Sequence, residues 1–210
     1  MESGPDLAQS APALCVDLDG TLTRSDLTLE SLLSALKARP WLLFMLPLWL
    51  IRGKGHMKAQ LARVAQPDAT VLPYHPEVID LIQEARLQGR HVALVTGSHI
   101  SLAERITDHL PLFDEVMGST PDRNLTGARK AALLVERFGS GRFEYVANSK
   151  VDLAVWSKAS GAVTVNAPRS VVRKVAEMGI AHRDIPPQKA GWRTWLKAIR
   201  LQQWLKNLLL

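Results

Sequence analysis

Asp17 and Asp19 stand two residues apart in VDLDGTLT (16–23), directly behind the apolar run Ala13-Leu14-Cys15. A carboxylate at the end of a buried strand can attack phosphorus and can bind a hard cation. A second carboxylate two residues on can protonate a leaving oxygen. Gly20 lets the intervening turn tighten. The same letters also read as an Asx turn or a helix cap, so the pair needs company to mean chemistry. VTGS supplies some: Thr96, Gly97 and Ser98 offer a hydroxyl and backbone N–H groups before a predicted helix, either a phosphate cradle or an ordinary N-cap at Ser98. Lys130 opens another predicted helix, where its charge opposes the dipole and points to a partner anion, unless it is simply solvated. Asn148, Ser149 and Asp152 follow a further strand. Their oxygens can complete a magnesium site with Asp17 and the Asp19 carbonyl.

These residues are spread over 136 positions, so a scaffold must gather them. Ala13 to Asp17 reads as a short buried strand. Thr28 to Ala38 reads as a helix with Leu29, Leu32, Leu33 and Leu36 on one face. From residue 77 the pattern alternates. Helices are predicted at 77–87, 100–109, 130–138, 151–160 and 170–177, and strands at 91–96, 113–119, 143–148 and 162–166. Strands alternating with helices of this length predict an α/β fold with a parallel sheet flanked by helices. In such a sheet the ligand crevice lies outside the carboxyl ends of the strands. Asp17, Thr96 and Asn148 each end a predicted strand and are expected to converge there.

The rest of the chain bears on setting. Of 210 residues 47% are hydrophobic, enough for a core, and the lone Cys15 rules out an internal disulfide framework. A core thiol in a reducing compartment is expected. The polar start MESGPDLAQSAP has neither a basic nor an apolar signal-peptide region. The net charge of +6 is concentrated in two blocks. Residues 31–67 hold six Lys or Arg and no acid, and residues 182–210 hold six more with one acid, Asp184. Both blocks are rich in Trp and Leu, which suits anionic lipid better than nucleic acid, so no nucleic-acid partner is expected. PWLLFMLPLWLI (40–51) falls short of the roughly 20 apolar residues of a membrane span and is broken by Pro47. It is expected to form a helical pair, mostly buried, with an interfacial patch as the other reading.

The four pieces in this order resemble the haloacid dehalogenase superfamily of phosphatases. DLDGTLT matches its first motif, VTGS the second, Lys130 the third and ANSKVD the fourth. The resemblance implies a Rossmann-like core at 13–23 and 76–180, a helical cap inserted after the first strand at 24–75, and a Mg2+-dependent aspartyl-phosphate mechanism. It implies Asp17 as nucleophile, Asp19 as acid then base, Thr96, Gly97 and Lys130 around the phosphoryl oxygens, and Asp17, Asp19 and Asn148 at the metal. Ser98, Ser149 and Asp152 would support them. One position departs from the pattern: Ala147-Asn148 stands where the family has Gly-Asp. Asn offers an oxygen without charge, so weakened metal binding is expected, and a regulatory or scaffolding domain is the competing reading.

A narrower resemblance covers nearly the whole chain. IRLQQWLKNLLL (199–210) is similar to the start of the first transmembrane helix of UbiA-type prenyltransferases. Bacterial members of that family carry a haloacid dehalogenase-like domain ahead of the membrane part. LPLWLIRGKGHMKAQLA, LPYHPEVIDLI and NSKVDLAVW look like those domains. The resemblance implies a flexible N-terminus (1–12), a linker or juxtamembrane segment (181–198), and a membrane helix entered at 199. It also implies a location on the cytoplasmic side of the bacterial inner membrane. The substrate would be a phosphorylated small molecule or a lipid-linked phosphosugar, and the partner a membrane surface or the UbiA-type membrane domain.

Overall fold

The computed structural model describes residues 11–27, 31–32, 35–36, 39–64 and 69–187. Six parallel strands form one sheet: β1 (Ala13–Val16), β2 (Val92–His99), β3 (Glu115–Ser119), β4 (Phe143–Ala147), β5 (Gly161–Val165) and β6 (Ala181–Ile185). Their order is β3-β2-β1-β4-β5-β6. The chain winds outward on one side of β1, then returns to build the other side, so β1 and β4 flank the point where the winding reverses. Val16 is in register with Val146. Asp17 and Asn148 therefore leave neighbouring strands at the same edge, where doubly wound sheets hold ligands.

Strand alternation divides the core. Leu14, Val16, Leu94 and Val146 face one layer, packed against Val78 and Ile82 of α3 (Pro76–Leu87) and Leu102 and Ile106 of α4 (Ile100–His109). Ala13, Cys15, Val95, Phe143 and Tyr145 face the other, against α5 (Ala128–Phe138), α6 (Leu153–Trp156) and α7 (Arg169–Ala176). Cys15 is a buried free thiol, its ionisation pushed up by desolvation. A separate small core of Ala35, Leu42, Trp49 and Leu61 lies in the insertion between β1 and α3. That insertion contains a 3₁₀ turn (Pro40–Phe44), α1 (Leu46–Ile51) and α2 (Lys54–Val64).

Four expectations need correction. The 40–51 run is a helical pair, but it is mostly exposed: only Leu42 and Trp49 of it are buried, packed with Ala35 and Leu61. The segment expected to be a linker from residue 181 begins instead with β6, an edge strand that needs few apolar residues because its outer side meets solvent. The helix expected at 151–160 is a 3₁₀ turn (Lys150–Asp152) followed by the single turn of α6. Thr96 does not end its strand: β2 runs on to His99 through an irregularity in its pairing with β3. Residues 1–10, much of the helix expected at 28–38, and the juxtamembrane and membrane-entry segments from 188 onward lie outside the described residues.

Candidate active site

Asp17 leaves β1 with its N–H donating to the Val146 carbonyl at 2.9 Å. The chain then folds back on itself. The N–H groups of Thr21 and Thr23 donate to the Leu18 carbonyl, and that of Leu22 donates to the Asp17 carbonyl. The turn requires Gly20 at φ +73°, a left-handed conformation that side chains resist. A Cβ built there would stand 2.1 Å from Nδ2 of Asn148, so the glycine also lets the Asn148 amide lie directly over the loop.

Two buried groups result. In the first, the Lys130 Nζ donates to Asp17 Oδ1 at 2.7 Å and to the Tyr145 hydroxyl at 2.8 Å, and lies 3.9 Å from Asp152 Oδ1. The Tyr145 hydroxyl donates to Asp152 Oδ1 at 3.2 Å. Ser149 fixes the other Asp152 oxygen through its hydroxyl (2.6 Å) and N–H (3.1 Å). Burial raises the Asp17 carboxyl to about 7 against the pull of Lys130, and the charges of Asp152 and Asp19 add to the rise. Burial likewise raises Tyr145, keeping the phenol protonated as a donor.

In the second group, Asp19 Oδ2 accepts from the hydroxyls of Ser98 (2.7 Å) and Thr96 (3.1 Å), and Oδ1 accepts from the Leu27 N–H at 2.8 Å. The Ser98 N–H donates to Thr96 Oγ1. Burial raises the Asp19 carboxyl, and the Ser98 hydrogen bond is the largest influence holding it down. A raised carboxyl suits a group that must carry a proton near neutral pH.

The two groups open onto one cavity of about 550 Å³. Of the residues expected from the sequence, Asp17, Asp19, Gly97, Ser98, Lys130, Asn148, Ser149 and Asp152 line it; Thr96 is fully buried behind Asp19. Ser98 does not cap α4: His99 does, accepting from the Ser101 N–H. Lys130 is the third residue of α5, not a solvated lysine, and is buried against Asp17.

Two contributors escaped the sequence reading. Tyr145 shares its face of β4 with Phe143 and Ala147, and that alternation carries no sign of the ammonium and carboxylate it meets there. Lys58 reaches the cavity from α2, its ammonium donating to the Gly97 carbonyl and to Asn124 Oδ1. Nothing local marks it, because its partners lie 39 and 66 residues away.

The candidate metal donors can be tested on their chemistry. Among the described residues, no three His, Cys, Asp or Glu side chains cluster as a metal site. Asp17, Asp19 and Asn148 line the same cavity and carry oxygen donors, the preference of a hard cation. They fit such an ion as a low-charge set: Asn148 brings a neutral amide, and burial holds the Asp17 carboxyl up.

The fold and the layout of the site define a protein family. Residues 14–155 match the haloacid dehalogenase-like hydrolase family, and the chain belongs to it. It is 39% identical over 201 residues to the uncharacterized protein y4nM of Sinorhizobium fredii (strain NBRC 101917 / NGR234), matching 95% of this chain and 38% of that protein. The chain thus spans well under half of that relative's length. Its fold is similar to a protein of unknown function from Bordetella pertussis Tohama I (TM-score 0.63, 13% identity, covering 84% of this chain and 99% of the other). It is also similar to phosphoserine phosphatase, both with substrate bound (TM-score 0.58, 15% identity) and as a phospho-aspartyl intermediate analogue (TM-score 0.57, 15% identity). Each of these covers 91% of this chain and 100% of the other.

Proposed function

We propose that this chain is a Mg2+-dependent phosphomonoester hydrolase working through an aspartyl-phosphate at Asp17. The observation that carries it is the pairing of two buried carboxylates with distinct surroundings at one cavity: Asp17 against the Lys130 ammonium, and Asp19 against hydroxyl donors. A carboxylate of Asp17 attacks phosphorus while the bond from phosphorus to the leaving oxygen breaks, and Asp19 gives that oxygen its proton. Asp19 then takes a proton from water as the water oxygen attacks phosphorus, the bond to Asp17 breaks, and phosphate leaves. Lys130 holds Asp17 in place and offsets negative charge beside it. Asp17, the Asp19 carbonyl and Asn148 would hold the cation, which when bound offsets charge on the phosphoryl oxygens. Phosphoserine phosphatase, of the same fold, has been captured as a phospho-aspartyl intermediate analogue, and this supports the covalent route.

The substrate proposed is a polyprenyl-linked phosphosugar, handled beside a UbiA-type prenyltransferase on the cytoplasmic side of the bacterial inner membrane. The support is the membrane-entry pattern of IRLQQWLKNLLL and the greater length of the relative matched. Asn148 favours a second reading, a catalytically weakened regulatory or scaffolding domain of that prenyltransferase, because the site carries one charged cation ligand. Phosphate release from a simple phosphomonoester and from a lipid-linked phosphosugar, with and without Mg2+, decides between them. Turnover that needs Mg2+ and vanishes in Asp17→Asn supports the hydrolase. A folded protein without turnover at any Mg2+ concentration supports the second reading, and good turnover of soluble esters alone removes the lipid-linked substrate.

A further inference from the structure

Among the described residues, no helix is long and apolar enough to cross a membrane. The insertion nevertheless turns an apolar face outward. Leu42 and Trp49, two turns apart, point into its small core. Trp41, Phe44, Leu48 and Ile51 are spaced three, four and three residues apart and share the opposite face. All four are exposed, Phe44 at 82% and Ile51 at 83%, with Leu43 and Leu50 beside them. Such a run is unusual on a water-facing surface, where large apolar side chains are scattered singly. The flanks are basic: Arg39, Arg52, Lys54 and Arg63 are exposed, and no Asp or Glu occurs from residue 31 to 67.

We infer that this face, Trp41 to Ile51, is a membrane-docking surface that inserts its apolar side chains among anionic lipids, with the arginines and lysine at the headgroups. The occupant follows from the charge. A protein partner or a second copy would cover apolar area without requiring basic residues on both flanks and no acid within the segment. A lipid surface carrying negative charge requires both, since binding grows with buried apolar area and with basic residues near the headgroups. Two short helices separated at Met45 can only lie in the interface, being far below spanning length. The surface shares its membrane setting with the proposed function and is otherwise independent of the chemistry. Docking would hold the cavity, which α2 borders through Lys58, close to the lipid plane.

The test must separate this face from the Trp-rich C-terminal segment, so it reads position directly. Cys15 is buried and will not take a label. In the full chain, Phe44→Cys and, as reference, Leu87→Cys on an exposed site of α3 are labelled with an environment-sensitive dye. Each is mixed with vesicles of phosphatidylcholine alone or with about 30% phosphatidylglycerol, with and without brominated acyl chains. The expected result is a blue shift and bromine quenching at 44, little at 87, and dependence on the anionic lipid. A second chain with Arg39→Gln, Arg52→Gln and Lys54→Gln should lose roughly fivefold in binding per residue changed. Vesicle binding without quenching at 44 would mean that another segment docks, and would overturn the inference. So would quenching indifferent to the anionic lipid, or a blue shift at 44 that appears without lipid and grows with protein concentration, the mark of a second copy. Phosphate release is a separate readout, so loss of the hydrolase reading leaves this result standing.

Discussion

Replacing Lys130 by Met removes the ammonium that sits 2.7 Å from Asp17 while keeping an apolar stem in its place. The structure sets how the loss depends on pH. Asp17 is raised from 3.8 to about 7, chiefly by burial. A carboxyl raised on folding makes stability fall as pH climbs from its unfolded value near 4 to its folded value, because the folded protein keeps a proton that the unfolded chain has released. Above about 7 this contribution levels off in the parent, where Asp17 ionises against Lys130. In Lys130→Met the downward pull is gone, Asp17 holds its proton to higher pH, and stability keeps falling. Each pH unit of extra delay costs about 1.4 kcal/mol. On top of a loss common to all three pH values, from the contacts to Tyr145 and Asp152, the penalty should be about 1–2 kcal/mol larger at pH 8 than at pH 5.5 and about 3 kcal/mol larger at pH 9. Urea denaturation of both chains at these three pH values, with EDTA present, measures it. Curves that stay parallel from pH 7 to 9 would refute the claim that Lys130 offsets the charge of Asp17.

Asn148→Asp adds a second carboxylate to the candidate cation site, so Mg2+ should bind about tenfold or more tightly by calorimetry; unchanged affinity would remove Asn148 from the ligand set. Gly20→Ala places a methyl group against Asn148 at a positive φ. It should cost about 1–3 kcal/mol and weaken Mg2+ binding, and parent-like melting and affinity would show that the loop relaxes freely. Ser98→Ala takes away the chief influence holding the Asp19 carboxyl down, so the alkaline limb of kcat/KM should move to higher pH; an unmoved limb would mean that Asp19 is not the acid. Lys58→Met should raise KM more than it lowers kcat for esters bearing a second anionic group, and equal effects on singly charged esters would make Lys58 structural.

The alternation of Leu14 and Val16 with Ala13 and Cys15, and the helix–strand rhythm after residue 77, were enough to predict a parallel sheet, because burial on both faces writes itself into local pattern. DLDGTLT and ANSKVD were legible because each is a turn at a strand end, with its residue types set by local geometry; VTGS lies within β2, and it and Lys130 were read through the family resemblance. The polar edge strand β6 was not legible, since half-solvated pairing demands no apolar signature. Pairing between distant residues was invisible too. That Lys130 meets Asp17 and Tyr145, that Ser98 holds Asp19 instead of capping a helix, and that Lys58 enters from the insertion are facts of packing between segments far apart in the chain. The 40–51 run shows the division most clearly. Its sequence determined two short apolar helices; which face went inward was decided only by packing against Ala35 and Leu61, which took Leu42 and Trp49 and left Trp41, Phe44, Leu48 and Ile51 outside.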